Sequence, residues 1–183
     1  MAIEVVPADP AWPEQFRRVE EDLTAALRGV PVIAIEHVGS TSVPGLAAKP
    51  VLDIDVVVAR TSVAGAIAAL ERARYRHRGD LGVSGREAFE APDADPRRHV
   101  YVCVEGTLHL RNHLAVRRVL RENDELRQRY AATKQTLASD PDMDIDRYLA
   151  GKSAVLQEVL ALSDLTGDEK AQILRLNTGG PAT

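Results

Sequence analysis

Trp12, Phe16, Val19, Leu23 and Leu27 recur at intervals of four, three, four and four residues, which is one face of a 3.6-residue period. The spacing predicts a helix entered through Pro10 and Pro13 and stopped at Gly29 and Pro31. Val32–Val38 is apolar and β-branched, a strand, and it runs into the turn-rich stretch from Gly39 to Gly45. Val51–Val58 alternates as a second strand. Leu52, Ile54, Val56 and Val58 share one face, and Asp53, Asp55, Val51 and Val57 share the other. Ser62 is placed to cap a helix carrying Val63, Ile67 and Leu70. Glu87–Ala91 reads as a short strand and His99–Val104 as another, followed by a hairpin turn at Glu105-Gly106 into Thr107–Arg111. Helices are expected over about 112–122, 124–138, 145–162 and 167–176. The order predicts an α/β or α+β arrangement, a small mixed sheet with flanking helices and a helical C-terminal part. We expect one domain over 1–176 and a disordered tail over 177–183.

Two acids on one strand face change this picture. Side chains at i and i+2 lie ~6.6–7 Å apart along a strand. Asp53 and Asp55 there repel each other unless solvated or neutralised. A divalent cation would neutralise them, and Mg²⁺ favours one or two carboxylates together with substrate phosphates. The alternative is a solvated face whose charges deter edge pairing. Gly39 lets backbone approach a ligand, and Ser40, Thr41 and Ser42 offer hydroxyls and N–H groups suited to phosphate. The spacing to Gly45 and Lys49 excludes a Walker A loop.

Charge and composition narrow the partners. The 183 residues carry 23 basic and 27 acidic side chains, a net charge of −4, which argues against bulk binding of nucleic acid or an anionic membrane. A single cysteine, Cys103, and no apolar run of membrane-spanning length point to a cytoplasmic protein. Lysine occurs only at 49, 134, 152 and 170, so each lysine marks a place where a compact point charge is wanted. His109 and His113 are four apart, but an expected strand-to-helix break at Arg111-Asn112 separates them. The acids at 140, 142, 144 and 146 lack a calcium loop's glycine and terminal glutamate and read as helix-capping charges.

A strand ending in Gly-Ser, a short loop and a strand with Asp-x-Asp is the signature of the polymerase-β-like nucleotidyltransferase fold. The run from His37 through Gly39-Ser40-Thr41-Ser42, Val43-Pro44-Gly45 and Lys49-Pro50 to Asp53-Ile54-Asp55 closely resembles the GrpB family, which is placed in that superfamily. Gly85-Arg86-Glu87-Ala88-Phe89, Arg98-His99-Val100-Tyr101-Val102, His113-Leu114-Ala115-Val116-Arg117, Tyr130 with Lys134, and Tyr148 with Lys152 are similar to further family segments. The resemblance implies Asp53 and Asp55 as catalytic, Mg²⁺-holding residues. It implies a ligand site drawn from His37, Gly39, Ser40, Thr41, Ser42, Lys49, Arg86, His99, Arg117, Lys134, Tyr148 and Lys152. The ligand would be a nucleoside triphosphate or another phosphorylated small molecule. Such domains also occur fused to dephospho-CoA kinases, so the implied function is nucleotidyl transfer to an acceptor or, alternatively, nucleotide or CoA binding without turnover. Two departures stand out: Arg118 replaces a family acid, and the polar face of the 99–104 strand offers His99, Tyr101 and Cys103 where a third carboxylate is expected.

Overall fold

Period-2 and period-3.6 patterning give way to each other along the chain, and the elements follow. A computed structural model describes residues 4–177. In chain order it contains α1 (Trp12–Ala26), β1 (Val32–Val38), β2 (Leu52–Val58), α2 (Val63–Arg72), β3 (Arg76–His77), β4 (Arg86–Glu90), β5 (Arg98–Val104), α3 (Leu108–Glu122), α4 (Asp124–Ala138), α5 (Ile145–Ala161) and α6 (Gly167–Asn177). Single 3₁₀ turns occupy Ser40–Ser42 and Arg60–Ser62. The expected tail begins at Asn177, which ends α6; the rest of it lies outside the described residues.

The sheet is five-stranded, ordered β1-β2-β5-β4-β3, so the aspartate-bearing β2 is an interior strand. It pairs antiparallel with β1 and parallel with β5. Residues opposite each other in a ladder share a face. One face therefore presents Leu52, Ile54, Val56 and Val58 with Val100 and Val102, and α1 and α2 cover it through Trp12, Val19, Leu23, Ala66 and Leu70. The other face presents three rows: Val38, Asp53, His99 and Glu90; then Glu36, Asp55, Tyr101 and Ala88; then Ala34, Val57, Cys103 and Arg86. Helix α3 lies against this second face through Leu110 and Leu114. Helices α4 and α5 pack with Val43 and Leu46 of the β1–β2 loop around Tyr130, Val155 and Val159.

Two local expectations change. Thr107–Arg111 is not a strand, because α3 begins at Leu108. The Leu108-His109-Leu110 alternation imitates a strand, but Leu110 and Leu114 continue as one helical stripe against the sheet. His109 and His113 therefore share a helix, their ring centroids 4.0 Å apart. Ser62 makes no capping hydrogen bond; its own backbone is helical at the end of a 3₁₀ turn, which leads directly into α2. At α5 the acidic run does cap the helix: Asp144 accepts a hydrogen bond from the Arg147 N–H at 2.8 Å.

Candidate functional site

The chain leaves β1 through Gly39, whose φ of +68° and ψ of −171° suit glycine alone. Any Cβ there would sit 2.2 Å from Asp53 Oδ2, so the glycine lets the loop cross directly over the first aspartate. The 3₁₀ turn that follows sets Ser40 and Thr41 at the wall of a cavity of about 450 Å³. Its lining also includes Lys49, Asp53, Arg97, His99, Lys134, Tyr148 and Lys152, contributed by the β1–β2 loop, the sheet, α4 and α5.

The cations in this cavity come at an electrostatic cost. Lys134 is almost fully buried; its Nζ donates to Ser40 Oγ at 2.9 Å and to the Ala47 carbonyl, and lies 4.6 Å from the Tyr130 ring centre. Burial, and then the Lys152 charge, push its pKa down to about 7. Lys152 is brought down to about 8 by burial and by Lys49, with Asp53 opposing. Lys49 and Lys152 both stand over the Tyr148 ring, at 5.0 and 4.6 Å. Burial also lowers Lys49, against the pull of Asp53. Among the described residues no carboxylate lies within ion-pair distance of these three ammonium groups, whereas the Asp53 and Asp55 carboxylates are held by histidines.

The two aspartates part company. Asp53 is a third exposed and faces the cavity; its Oδ1 accepts from His99 Nδ1 at 2.9 Å, and that bond raises the His99 pKa. Asp55 has no exposed surface and does not line the cavity. Its Oδ2 accepts from His113 Nδ1 of α3 at 2.8 Å, and its buried Oδ1 has no hydrogen-bond partner. Burial works against a charge on His113, but the hydrogen bond and charge of Asp55 outweigh it and raise the pKa. Each carboxylate thus has a histidine beside it, which answers the repulsion between them without a cation.

Several residues expected at the site lie elsewhere. His37 pairs with Ile54 and so projects onto the apolar face, stacked on Phe16 at 4.7 Å and bonded to Thr41 Oγ1 at 2.9 Å; burial pushes its pKa down to about 4. Ser42 Oγ turns back onto the Gly39 carbonyl at 2.7 Å. Arg117 binds Glu36 and the His37 carbonyl, both at 2.7 Å, on a separate groove along α3. Arg86 lies over the Tyr101 ring at 4.8 Å and donates to the Asp80 carbonyl. The family resemblance placed these two arginines in the ligand site, but the register of β4 sends Arg86, and the face of α3 sends Arg117, to other partners. Conversely, Arg97, which had not been singled out, lines the cavity, and His113, noted only for its spacing from His109 and its family segment, holds Asp55. The signal for His113 was a helical i, i+4 spacing with His109, hidden by the expected strand.

The GrpB protein family model matches residues 2–162. A UPF0157 protein of Halalkalibacterium halodurans is 34% identical over 167 residues, covering 90% of this chain and 84% of that protein. A dephospho-CoA kinase of Mycolicibacterium paratuberculosis is 28% identical over 176 residues, and the match spans 82% of this chain but only 43% of the kinase. The crystal structure of conserved protein GrpB from Enterococcus faecalis superposes with a TM-score of 0.74 at 34% identity, covering 86% of this chain and 98% of that one. A mutant Cid1 poly(U) polymerase bound to MgATP matches with a TM-score of 0.51 at 11% identity, over 90% of this chain and 54% of that one, a likeness of fold alone. Fold and motif agree with these matches over most of the length, and the chain belongs to the GrpB family, with a nucleotidyltransferase-like fold.

Proposed function

We propose that this protein binds a nucleoside triphosphate with Mg²⁺ in the cavity between the sheet and α4–α5, and transfers its nucleotidyl group to an acceptor. The observation that carries the reading is the convergence of Lys49, Lys134 and Lys152 on the same cavity as Ser40 and Asp53. Two of those lysines are held near neutrality in their pKa, so a polyphosphate would restore the protonation that burial opposes. Ser40 and Lys134, already bonded to each other, would grip phosphate oxygens. Lys49 and Lys152, both over the Tyr148 ring, would offset the charge of the phosphates.

The donor set fits Mg²⁺. Asp53 presents a carboxylate to the cavity, and this ion takes one or two carboxylates and completes its shell with phosphate and water. When bound, it would neutralise charge on the phosphates. His99, bonded to Asp53 in the position of the missing third acid, would fix the carboxylate's orientation. One observation favours binding without turnover instead: Asp55 is withdrawn from the cavity.

Thermal shift and calorimetric titration with nucleoside triphosphates, with and without Mg²⁺, test binding, and pyrophosphate release tests turnover. At a ligand concentration a hundredfold above Kd, stabilisation should be about 2.7 kcal/mol. Asp53→Asn should weaken Mg²⁺-dependent affinity at least tenfold. Binding without pyrophosphate release selects the second reading, and unchanged affinity in Asp53→Asn removes Asp53 from the site.

A further inference from the structure

Behind the aspartate that faces the cavity lies a second group of donors. Asp55 on β2, Cys103 on β5 and His109 on α3 each bring one ligand atom to within 4.8 Å of the others. Asp55 and Cys103 are fully buried, and His109 is partly covered. Two polar atoms in this group, Asp55 Oδ1 and His109 Nε2, are buried with no well-formed hydrogen bond, although the Cys103 thiol lies close enough to Asp55 to interact with its carboxylate. A buried donor or acceptor normally finds one, so two orphans converging on a thiol need a physical reason.

The chemistry of the three supplies it. A carboxylate, a thiol and an imidazole form a borderline-soft set, of the kind that takes Zn²⁺ and not Mg²⁺. In a tetrahedral site with metal–ligand bonds of ~2.0–2.3 Å, ligand atoms stand ~3.3–3.8 Å apart. The group therefore needs to contract by at most about 1–1.5 Å. His113 completes the arrangement from outside: by holding Asp55 Oδ2 at 2.8 Å it aims Oδ1 inward, as an outer-shell partner orients a ligand. Burial keeps His109 neutral, the state in which a ring nitrogen offers its lone pair. Arg86 is the nearby cation; its guanidinium lies over the Tyr101 ring and donates to the Asp80 carbonyl, while its buried Nε has no partner and its charge favours the thiolate form of Cys103.

We propose that Asp55, Cys103 and His109 form a transition-metal site of the Zn²⁺ type, distinct from the nucleotide cavity and joining β2, β5 and α3. Burial and the Asp55 charge hold the proton on the Cys103 thiol; on binding, the ion displaces that proton, which passes to solvent, and the thiolate bonds the ion with no change of oxidation state. The site would join α3 to the sheet directly beneath Asp53.

Co²⁺ is the probe, because a cobalt–thiolate bond gives a near-ultraviolet charge-transfer band. The full chain, stripped with chelator, should bind one Co²⁺ with that band, and Zn²⁺ should displace it. Cys103→Ser should abolish the band. His109→Gln, which keeps a polar side chain of similar length, should weaken Co²⁺ at least tenfold. Asp53→Asn should leave the band and its affinity unchanged. Absence of a thiolate band in the wild-type protein overturns the proposal. So does Co²⁺ binding that survives both Cys103→Ser and His109→Gln, and so does binding lost in Asp53→Asn alone, which would assign the ion to the nucleotide cavity.

Discussion

The two faces of one strand obey different rules. On one face of β2, Leu52, Ile54, Val56 and Val58 meet α1 and α2 in a continuous aliphatic layer. On the other, Asp53 and Asp55 meet histidines 46 and 58 residues further along the chain. Burial of apolar area is non-directional, so any aliphatic neighbour serves the first face. A buried carboxylate needs a particular donor at a particular angle, so only certain residues serve the second. The apolar face should tolerate conservative change independently of pH, and the polar face should not.

The largest expected effect follows from removing a polar partner. His113→Ala leaves the fully buried Asp55 carboxylate without its donor. Removing one member of a buried pair costs about 3–5 kcal/mol, which urea melts in chelator would measure. Because the folded pKa of His113 is raised, the charged pair stabilises fully below the ordinary histidine value near ~6.5 and weakens as pH rises through the folded value. The gap between wild type and variant should therefore narrow toward alkaline pH. A constant gap would show that the imidazole acts only as a neutral donor.

Gly39→Ala comes next. It places a Cβ on the Asp53 carboxylate at a backbone conformation costing about 1–3 kcal/mol. Stability should fall by that amount, and Mg²⁺-dependent nucleotide affinity should fall with it. A variant as stable as wild type would mean that the loop over Asp53 gives way easily.

Lys134 sharpens the contrast through pH alone. Its folded pKa of about 7 lies below the ordinary lysine value, so above pH 7 the unfolded chain binds more protons and stability rises with pH. The slope can reach about 1.4 kcal/mol per pH unit for one group. Lys152 joins only above its own value of about 8, so Lys134→Met should flatten the slope between pH 7 and 8 and reduce it by about half above pH 8, where Lys152 alone remains. Inorganic triphosphate should bind the wild type more tightly at pH 7 than at pH 9, since it needs the ammonium forms. If stability is flat with pH in both proteins, the lysines are better hydrated than their burial implies.

The smallest effect belongs to the apolar face. Ile54→Val should cost about 0.5–1.5 kcal/mol, equally at every pH and with no change in ligand affinity. A pH-dependent loss there would erase the distinction between the two faces.

The same difference decides what could be read from the amino-acid sequence. Alternation along Leu52–Val58 and the helical stripe of Trp12, Val19, Leu23 and Leu27 are local, so the sheet, α1 and the inward and outward faces of β2 were legible. Asp53, Ser40 and the three lysines were legible because motif spacing marks them. His37 was placed at the site from its motif, although the ladder opposite Ile54 turns it to the other face. Arg117 was placed at the site from its family segment, yet Glu36, 81 residues away, holds it. The His113–Asp55 pair and the cluster with Cys103 and His109 depend on where α3 begins. A three-residue alternation at 108–110 pointed to a strand and concealed them.

The separation of partners along the chain also has a consequence in time. The apolar layer draws on residues 6 to 102. The cavity waits for Lys152, which is 152 − 104 = 48 residues beyond the end of β5. At a synthesis rate of roughly 5–20 residues per second, a nascent chain would spend about 2–10 s with its sheet-forming segments made and its aspartates uncovered. Closing the long loops to His113 and Lys134 also carries more chain entropy than closing the β1–β2 hairpin. Quenched-flow hydrogen exchange should therefore find the β1 and β2 amides protected before those of α4 and α5. The reverse order would mean that the helical half nucleates folding. In the expected order, a cleft with its aspartates open to solvent and only Lys49 beside them precedes the finished cavity, and Lys134 and Lys152 are the last of its cations to arrive.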